Sequence, residues 1–392
     1  MKRLLFALLI MTMGANLPAP LFPLYQVHFG LNSLEITALY AIYAVALIPS
    51  LLLIGPLSDQ VGRLPVIIPM MILGVIVSAL FVWAPNTTIL FIARAIEGIA
   101  LGGFIGTVTA FLIDYSLPDQ APRVTMMASI TTMLGFGLGP GFTGVLAEYV
   151  PWNVLQLPYL LHGTLTIIAL LAVLTVRETT LYSGRITWRI LIGVPAEVRW
   201  PFYSFIAPSC FLLFALNGTI IALIPGYVET VLYSKNFAIS GFIIFFLLGV
   251  GGVAQLLVQR RSLVPVTQVG LVLTVIGAWI MLEAGRSTSM VFLLSGILIQ
   301  GIGSGLTFKG SLGLAGILSK PATRAHLFSS YYVAAYFGAI VPVVTVGWLT
   351  LTFGLQTSLL ILTSAITAGS LLITLVAFWM PVFQEVTNDK SN

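Results

Sequence analysis

GPLSDQVGRLPV, residues 55–66, sets an aspartate, an arginine, two glycines and two prolines between apolar stretches long enough to cross a bilayer. The chain around it has 392 residues, of which 58% are hydrophobic and 7% charged. Its mean hydropathy is +1.07. Soluble domains carry about 25% charged residues, so this composition excludes a soluble globular protein. The apolar runs reach the roughly 20 residues that a helix needs to cross a hydrocarbon layer. They do not alternate as barrel strands do. The spans predicted are 4–27, 35–58, 65–84, 88–115, 123–147, 154–176, 201–228, 237–258, 264–283, 289–318, 323–351 and 355–380. The longest polar break, residues 177–200, separates two sets of six. The expected fold is therefore an all-α membrane protein of twelve transmembrane helices. They form two pseudo-symmetric six-helix bundles, 1–176 and 201–392, joined by a cytoplasmic linker, 177–200.

Basic residues orient these spans. With both termini cytoplasmic, thirteen Lys and Arg fall inside: Lys2, Arg3, Arg63, Arg123, Arg177, Arg185, Arg189, Arg199, Arg260, Arg261, Lys320, Arg324 and Lys390. Two, Lys235 and Arg286, fall outside, and two, Arg94 and Lys309, lie within spans, which completes the seventeen. This bias follows the positive-inside rule. The net charge of +5 is thus a topology signal. Basic residues confined to short loops do not indicate a nucleic-acid partner. Around Arg185 and Arg189, the residues Ile186, Trp188, Ile190 and Leu191 read either as an amphipathic segment on the cytoplasmic leaflet or as a solvated linker. The basic and apolar start, with its small residues, resembles a secretory signal. The apolar run continues through Pro20, Pro23 and Tyr25, and an uncleaved first helix is the expectation. Cys210 is the single cysteine, a small packing residue that has no intrachain disulfide partner.

The halves repeat weakly. Pro23 and Tyr25, ending the first span, correspond to Pro225 and Tyr227, ending the seventh, and the next turn is basic in both, at Arg63 and at Arg260 with Arg261. Parallel six-helix halves place substrate near the bilayer midplane between them. The opening stretch then falls in the loop between spans two and three, at the cytoplasmic face. There Gly55 and Gly62 permit turns and close approach, Pro65 suits a first helical turn, and Asp59 offers an anion to a helix N-terminus. Arg63 can pair with a carboxylate, and Asp114 at the cytoplasmic end of span four is its best partner by topology.

That stretch resembles the signature of the major facilitator superfamily, with a glycine, an aspartate four residues later and a Gly-Arg pair. The sequence departs from the fuller pattern at Gln60 and Leu64, where further basic residues are common. Leu90 to Ala100, with Arg94 and Gly98, resembles the family's fourth-span signature. Gly135-Phe-Gly-Leu-Gly139-Pro140-Gly141-Phe-Thr143-Gly144 resembles the fifth-span signature of antiporters, with Thr143 where glycine is usual. The RETT beginning at Arg177 resembles the drug:proton antiporter branch. The resemblance implies that Gly55, Asp59, Gly62, Arg63 and Asp114 form a cytoplasmic gate latching the halves. A loop of turn residues and topogenic charge is the other reading. It also implies a hinge at Gly135, Gly139, Pro140 and Gly144, with a glycine-rich packing helix as the alternative.

Ionisable residues deep in a span cost about 2.5 to 3.5 kcal/mol on insertion scales, so each is a functional candidate. Arg94 and Glu97 lie three apart on one helical face and can pair. Gly98, Gly102 and Gly106 line an adjacent face suited to close helix packing. Glu97 is the only carboxylate of the first half well inside the membrane. Burial favours its neutral acid and Arg94 its anion, so motion between them would move a proton. Glu97 with Arg94 is the predicted proton-coupling site, and a permanent ion pair is the alternative. Lys309 either snorkels to the interface or faces the cavity. Asn16 and Asn217 are candidates for orienting hydrogen bonds to substrate, and Phe211, Phe214, Tyr331, Tyr332 and Tyr336 for apolar walls. Helix packing or lipid contact is the plainer reading for each aromatic. His162 reads as a second titrating group or as a satisfied buried histidine, and His28 and His326 as loop or interface residues.

No phosphate-binding Gly-Lys-Ser/Thr loop, metal-ligand cluster or nucleophile and base pair stands out, so no cofactor or metal is expected and a membrane enzyme is disfavoured. The expected function is proton-coupled export of a small amphipathic organic compound or drug by rocker-switch alternating access. The alternative is an importer or uniporter of a small metabolite or sugar. The expected partners are a small-molecule substrate, protons and the lipid bilayer. The resemblance implies a monomer in the bacterial inner membrane.

Overall fold

A computed structural model describes residues 1–150, 152–179, 190–258, 262–320 and 323–378. The readings of Arg185, Arg189, Arg260, Arg261 and Lys390 lie outside the described residues. Twelve helices among the described residues are long and apolar enough to cross a membrane, from Lys2–Phe29 to Leu355–Ala377. No strand occurs among the described residues. Hydrocarbon offers backbone amides no water, so apolar runs of this length satisfy their amides internally as helix. Polar punctuation sets their ends. Asn32 and Glu35 close span two reciprocally, with Asn32 Oδ1 accepting from Glu35 N–H at 3.0 Å and Glu35 Oε2 accepting from Asn32 N–H at 2.8 Å. Asn86 Oδ1 accepts from Ile89 N–H at 3.1 Å to start span four, and Gly30, at φ +69°, ends the first span.

The helices gather into two compact units. Unit one comprises Met1–Leu31, Ala38–Ile190 and Lys235–Phe245, and unit two comprises Asn32–Thr37, Leu191–Ser234 and Phe246–Asn392. Within unit one, the first span is not one continuous helix. Helix Lys2–Gly14 stops before a turn and a short 3-10 segment, Ala19–Leu21, and a second helix, Phe22–Phe29, completes the crossing. Pro18, Pro20 and Pro23 lack the amide hydrogens that a continuous helix would use. Ala19 N–H bonds Asn16 O at 3.1 Å, which leaves the Ala15 carbonyl without its helical donor.

Close packing in unit one relies on glycine. A Cβ at Gly135 would strike Thr12 and one at Gly139 the Met13 carbonyl, so span five lies directly on span one. Gly144 lies against the backbone of Phe237, Ala238 and Gly241. The hinge candidates are therefore contact glycines on a helix, Ala121–Tyr149, that runs unbroken through Pro140. On span four, Gly98 abuts the Tyr43 carbonyl and Gly102 the Leu47 carbonyl, which seats span four on span two. Gly106 corrects the expected three-glycine stripe, because it faces open space. In unit two, spans nine and ten, Leu263–Ser287 and Met290–Leu318, interlock along their length. Gly270 meets Thr307, Gly277 meets Gln300, Gly303 meets Thr274 and Gly310 meets Thr267. Gly338 of span eleven rests on the Phe211 backbone and Gly347 on Thr37.

The asymmetry between Gly98 and Gly106 is directly measurable. Gly98→Ala forces its methyl into the Tyr43 carbonyl and costs about 1 to 3 kcal/mol by overpacking. Gly106→Ala has room and gains helix propensity, so it leaves stability unchanged or raises it by up to about 1 kcal/mol. Thermal unfolding of the two variants in the same detergent compares them; equal midpoints would contradict the packing described.

Candidate functional site

Arg94 is the largest fully buried side chain among the described residues, at 1% exposure. In hydrocarbon its N–H groups need acceptors, and three helices supply them. Nη1 donates to Glu97 Oε2 at 2.6 Å on its own span and to Ala15 O at 2.9 Å, the carbonyl freed by the break in span one. Nε donates to Leu39 O at 3.3 Å on span two. The guanidinium carbon lies 4.8 Å from the centre of the Tyr43 ring, a cation–π contact that favours the same charge. The pair predicted from its i, i+3 spacing therefore forms, but it is one corner of a junction between spans one, two and four. Sequence reasoning missed Ala15, Leu39 and Tyr43. The proline-rich NLPAP was the available signal for Ala15, since such a run frees carbonyls.

Glu97 differs from Arg94 in access, because its side chain keeps 11% exposure against 1%. Its Oε1 faces the backbone of Gly14 at the end of the first helix, where a Cβ would lie 3.4 Å away. Two further polar groups sit in the same unit. Tyr25 and Tyr159 share a buried hydroxyl hydrogen bond of 2.7 Å, and Tyr159 stacks on Phe81 at 4.4 Å. Tyr25 and Phe81 also line a cavity of about 460 Å³ with His28, Asn153 and Gln156. Asn16 points elsewhere, donating to Phe136 O at 3.3 Å and tying span one to span five.

The opening stretch is more helical than expected. Span two continues as helix through Val61, so Gly55 and Asp59 lie on it and only Gly62 and Arg63 form the connection to Leu64. Gly55, expected to serve a tight turn or close approach, faces open space. Gly62 takes φ +102°, a left-handed value that favours glycine. Arg63 gathers the cluster: Nε donates to Asp114 Oδ2 at 2.9 Å, and Nη1 donates to Ser58 Oγ at 2.8 Å and to Asp59. Burial pushes the guanidinium pKa down, but the hydrogen bonds to Asp114 and Asp59 outweigh it, and the net shift is upward. The acid at the N-terminus of span three is not Asp59 but Glu178 of RETT, whose Oε2 accepts from Leu64 N–H at 2.7 Å.

Unit two holds the remaining candidates. Gln300 donates to Asn217 Oδ1 at 3.0 Å, binding spans seven and ten. Phe214 lies 5.9 Å from Tyr336 and 6.3 Å from Phe308 between ring centres. Tyr331 joins the group, meeting Tyr332 at 5.5 Å, and its hydroxyl shares a 2.9 Å hydrogen bond with Ser311. Phe211 contributes its backbone to Gly338. Lys309 is half-buried, and no carboxylate among the described residues forms an ion pair with it. No group of three or more His, Cys, Asp or Glu among the described residues is arranged to hold a metal ion.

The sequence profile of the Major Facilitator Superfamily matches residues 4–282, and the chain belongs to that family. Quinolone resistance protein NorA of Staphylococcus aureus is 28% identical over 166 residues, 42% of this chain and 42% of that protein. Multidrug resistance protein 1 of Bacillus subtilis (strain 168) is 27% identical over 176 residues, 45% of this chain and 44% of that protein. The chain thus matches less than half the length of these relatives. Among solved structures, a bacterial homologue of the human lysosomal transporter Spinster superposes with a TM-score of 0.78 at 15% identity over 97% of both chains. A POT family transporter in complex with 5-aminolevulinic acid gives 0.78 at 13% identity over 95% of both. A variant of the nucleoside transporter NupG gives 0.75 at 14% identity over 98% of both. At such identities the likeness is one of fold. Twelve apolar helices and the family match make the chain a multi-pass membrane protein of the major facilitator fold.

Arg94→Lys tests the junction. Lysine keeps the charge but cannot reach the carboxylate and two carbonyls from one planar fork. It leaves buried acceptors unpaired, and a loss of about 3 to 5 kcal/mol is expected. This reads as a marked fall in the detergent unfolding midpoint, and an unchanged midpoint would show that the carbonyl bonds contribute nothing.

Proposed function

We propose that this protein is a proton-coupled exporter of small amphipathic organic compounds, working by rocker-switch alternating access as a monomer in the bacterial inner membrane with both termini cytoplasmic. One observation carries the reading. The guanidinium that neutralises Glu97 is also bound to carbonyls of spans one and two, so any displacement of those spans relative to span four alters the charge beside the carboxylate. A carboxylate losing its guanidinium in hydrocarbon takes up a proton, and one regaining it releases the proton. Helix motion and proton exchange are then a single event, which is what antiport requires.

Supporting features are independent of that site. The 13 to 2 distribution of Lys and Arg between the two sides favours cytoplasmic termini. The Arg63 cluster with Asp59 and Asp114 supplies a charged latch on the cytoplasmic side. Gly135, Gly139 and Gly144 supply thin contacts across which span five can shift. The aromatic group of Phe214, Tyr332 and Tyr336, with Asn217, suits an amphipathic solute that needs apolar walls and a hydrogen-bonding point. Relatives named for quinolone and multidrug resistance favour export of such solutes.

The test uses proteoliposomes containing a pH-sensitive dye, an imposed pH gradient, and norfloxacin and tetraphenylphosphonium as probes. Wild-type protein should show probe-induced proton movement, and Glu97→Gln should lose at least about 90% of it while still folding. Probe transport without proton movement would sink the antiport reading and favour a uniporter. Coupled transport surviving in Glu97→Gln would return the pair to a structural role.

A further inference from the structure

Beyond the arginine junction, one buried titratable group has a hydrogen-bond setting that packing alone does not require. His162 lies on span six at 5% exposure. Its Nε2 faces Ile10 O at 3.0 Å and its Nδ1 faces Ser78 Oγ at 3.0 Å. A carbonyl oxygen only accepts, so Nε2 carries a hydrogen in either charge state. The other side is not fixed in this way. Ser78 Oγ lies 3.0 Å from Nδ1 and also 3.2 Å from Gly74 O. With a neutral imidazole the serine hydroxyl donates to Nδ1. With an imidazolium Nδ1–H donates to Ser78 Oγ, and the hydroxyl hydrogen turns to Gly74 O. Both states keep Nδ1 satisfied, and the gain of one proton at Nδ1 with rotation about one C–O bond converts the first into the second.

The ring is also close to Glu97. A Cβ on Gly14 would lie 3.0 Å from His162 Nε2 and 3.4 Å from Glu97 Oε1. Both atoms thus lie against Gly14, no more than about 6 Å from each other, close enough for charge on one group to act on the other. The charged groups around the ring are few. Glu97 and Arg94 come from span four, and Tyr159, three residues before His162 on span six, shares its hydroxyl hydrogen bond with Tyr25 of span one. Span three, Leu64–Trp83, carries no ionisable residue. Span one has Lys2 and Arg3 at one end, with Arg3 bound to Thr175 O, and Tyr25 and His28 toward the other, and span five has Arg123 and Glu148 near its two ends. Among the described residues, Glu97 is therefore the anion near enough to act strongly on the imidazole.

We propose that His162 is a second proton-binding site, at Nδ1, electrostatically tied to Glu97. The proposal rests on the reading of Glu97 as the proton-coupling carboxylate. The Nδ1 lone pair takes a proton delivered as hydronium from the aqueous phase, which is left as water, and the resulting imidazolium favours the Glu97 anion. A neutral Glu97 carboxyl in turn favours a neutral ring. The two sites then hold one proton between them, so that a proton taken up at His162 keeps Glu97 charged and bound to Arg94.

The test reads the ring itself. The chain has three histidines, so ¹⁵N-histidine labelling in lipid nanodiscs gives few signals, and His162→Gln assigns the one that matters. In the wild type this signal should titrate between about pH 5 and pH 9. Its midpoint should move toward acid by about one pH unit or more in Glu97→Gln, the effect of a unit charge at about 6 Å through an effective dielectric of about 20. Ser78→Ala, which deprives the imidazolium of its acceptor, should move it the same way without touching Glu97. A ring that keeps one protonation state across that range, or one midpoint shared by wild type and both variants, overturns the proposal. That outcome is independent of the vesicle assay of Glu97→Gln, so the two readings fail separately.

Discussion

A guanidinium buried in a membrane must find its hydrogen-bond acceptors in the protein, and the arrangement of unit one follows from that need at Arg94. A continuous first span would offer no free carbonyl at this depth. The prolines of span one break the helix where Ala15 O is wanted, and close seating of span two against Gly98 and Gly102 brings Leu39 O and Tyr43 within reach. Backbone irregularity inside the membrane is tolerated only where it is buried against such partners. The break and the arginine are thus mutually dependent: each would be costly without the other.

Elsewhere the packing obeys a different rule. Between helices in lipid there is little hydrophobic drive, so association depends on close van der Waals contact and polar contacts across thin surfaces. The glycines at 135, 139, 144, 270, 303 and 310 each put one helix against the backbone or a threonine of another. Charge is held back for junctions, and among the described residues the ion pairs inside or next to the spans of unit one are those of Arg94 and Arg63.

Much of this was legible in the sequence because it depends on spacing and hydropathy. Twelve spans, the i, i+3 pairing of Arg94 with Glu97, and the partnership of Arg63 with Asp114 follow from composition, helical period and topology. Missed features are those set by backbone carbonyls or by space. Nothing in a residue's type announces that the Ala15 carbonyl has lost its donor or that Gly106 faces open space. The extension of span two through Val61 escaped because Gly55 and Pro56 read as punctuation, whereas helix continues through both here. The contact of Glu178 with Leu64 N–H spans 114 residues and is invisible to local reasoning. His162 could be flagged by its type, but its rotatable serine partner lies on another span.

The interlock of spans nine and ten bears on how the chain is assembled. These spans are consecutive and are joined through Thr288 and Ser289. Each finds in the other the complement to its glycines and threonines from end to end. A newly synthesised chain could therefore close this hairpin as soon as span ten follows span nine into the bilayer, before spans eleven and twelve exist. Unit two would then be built around a ready-made strut, with span seven and the later spans added to a surface already formed.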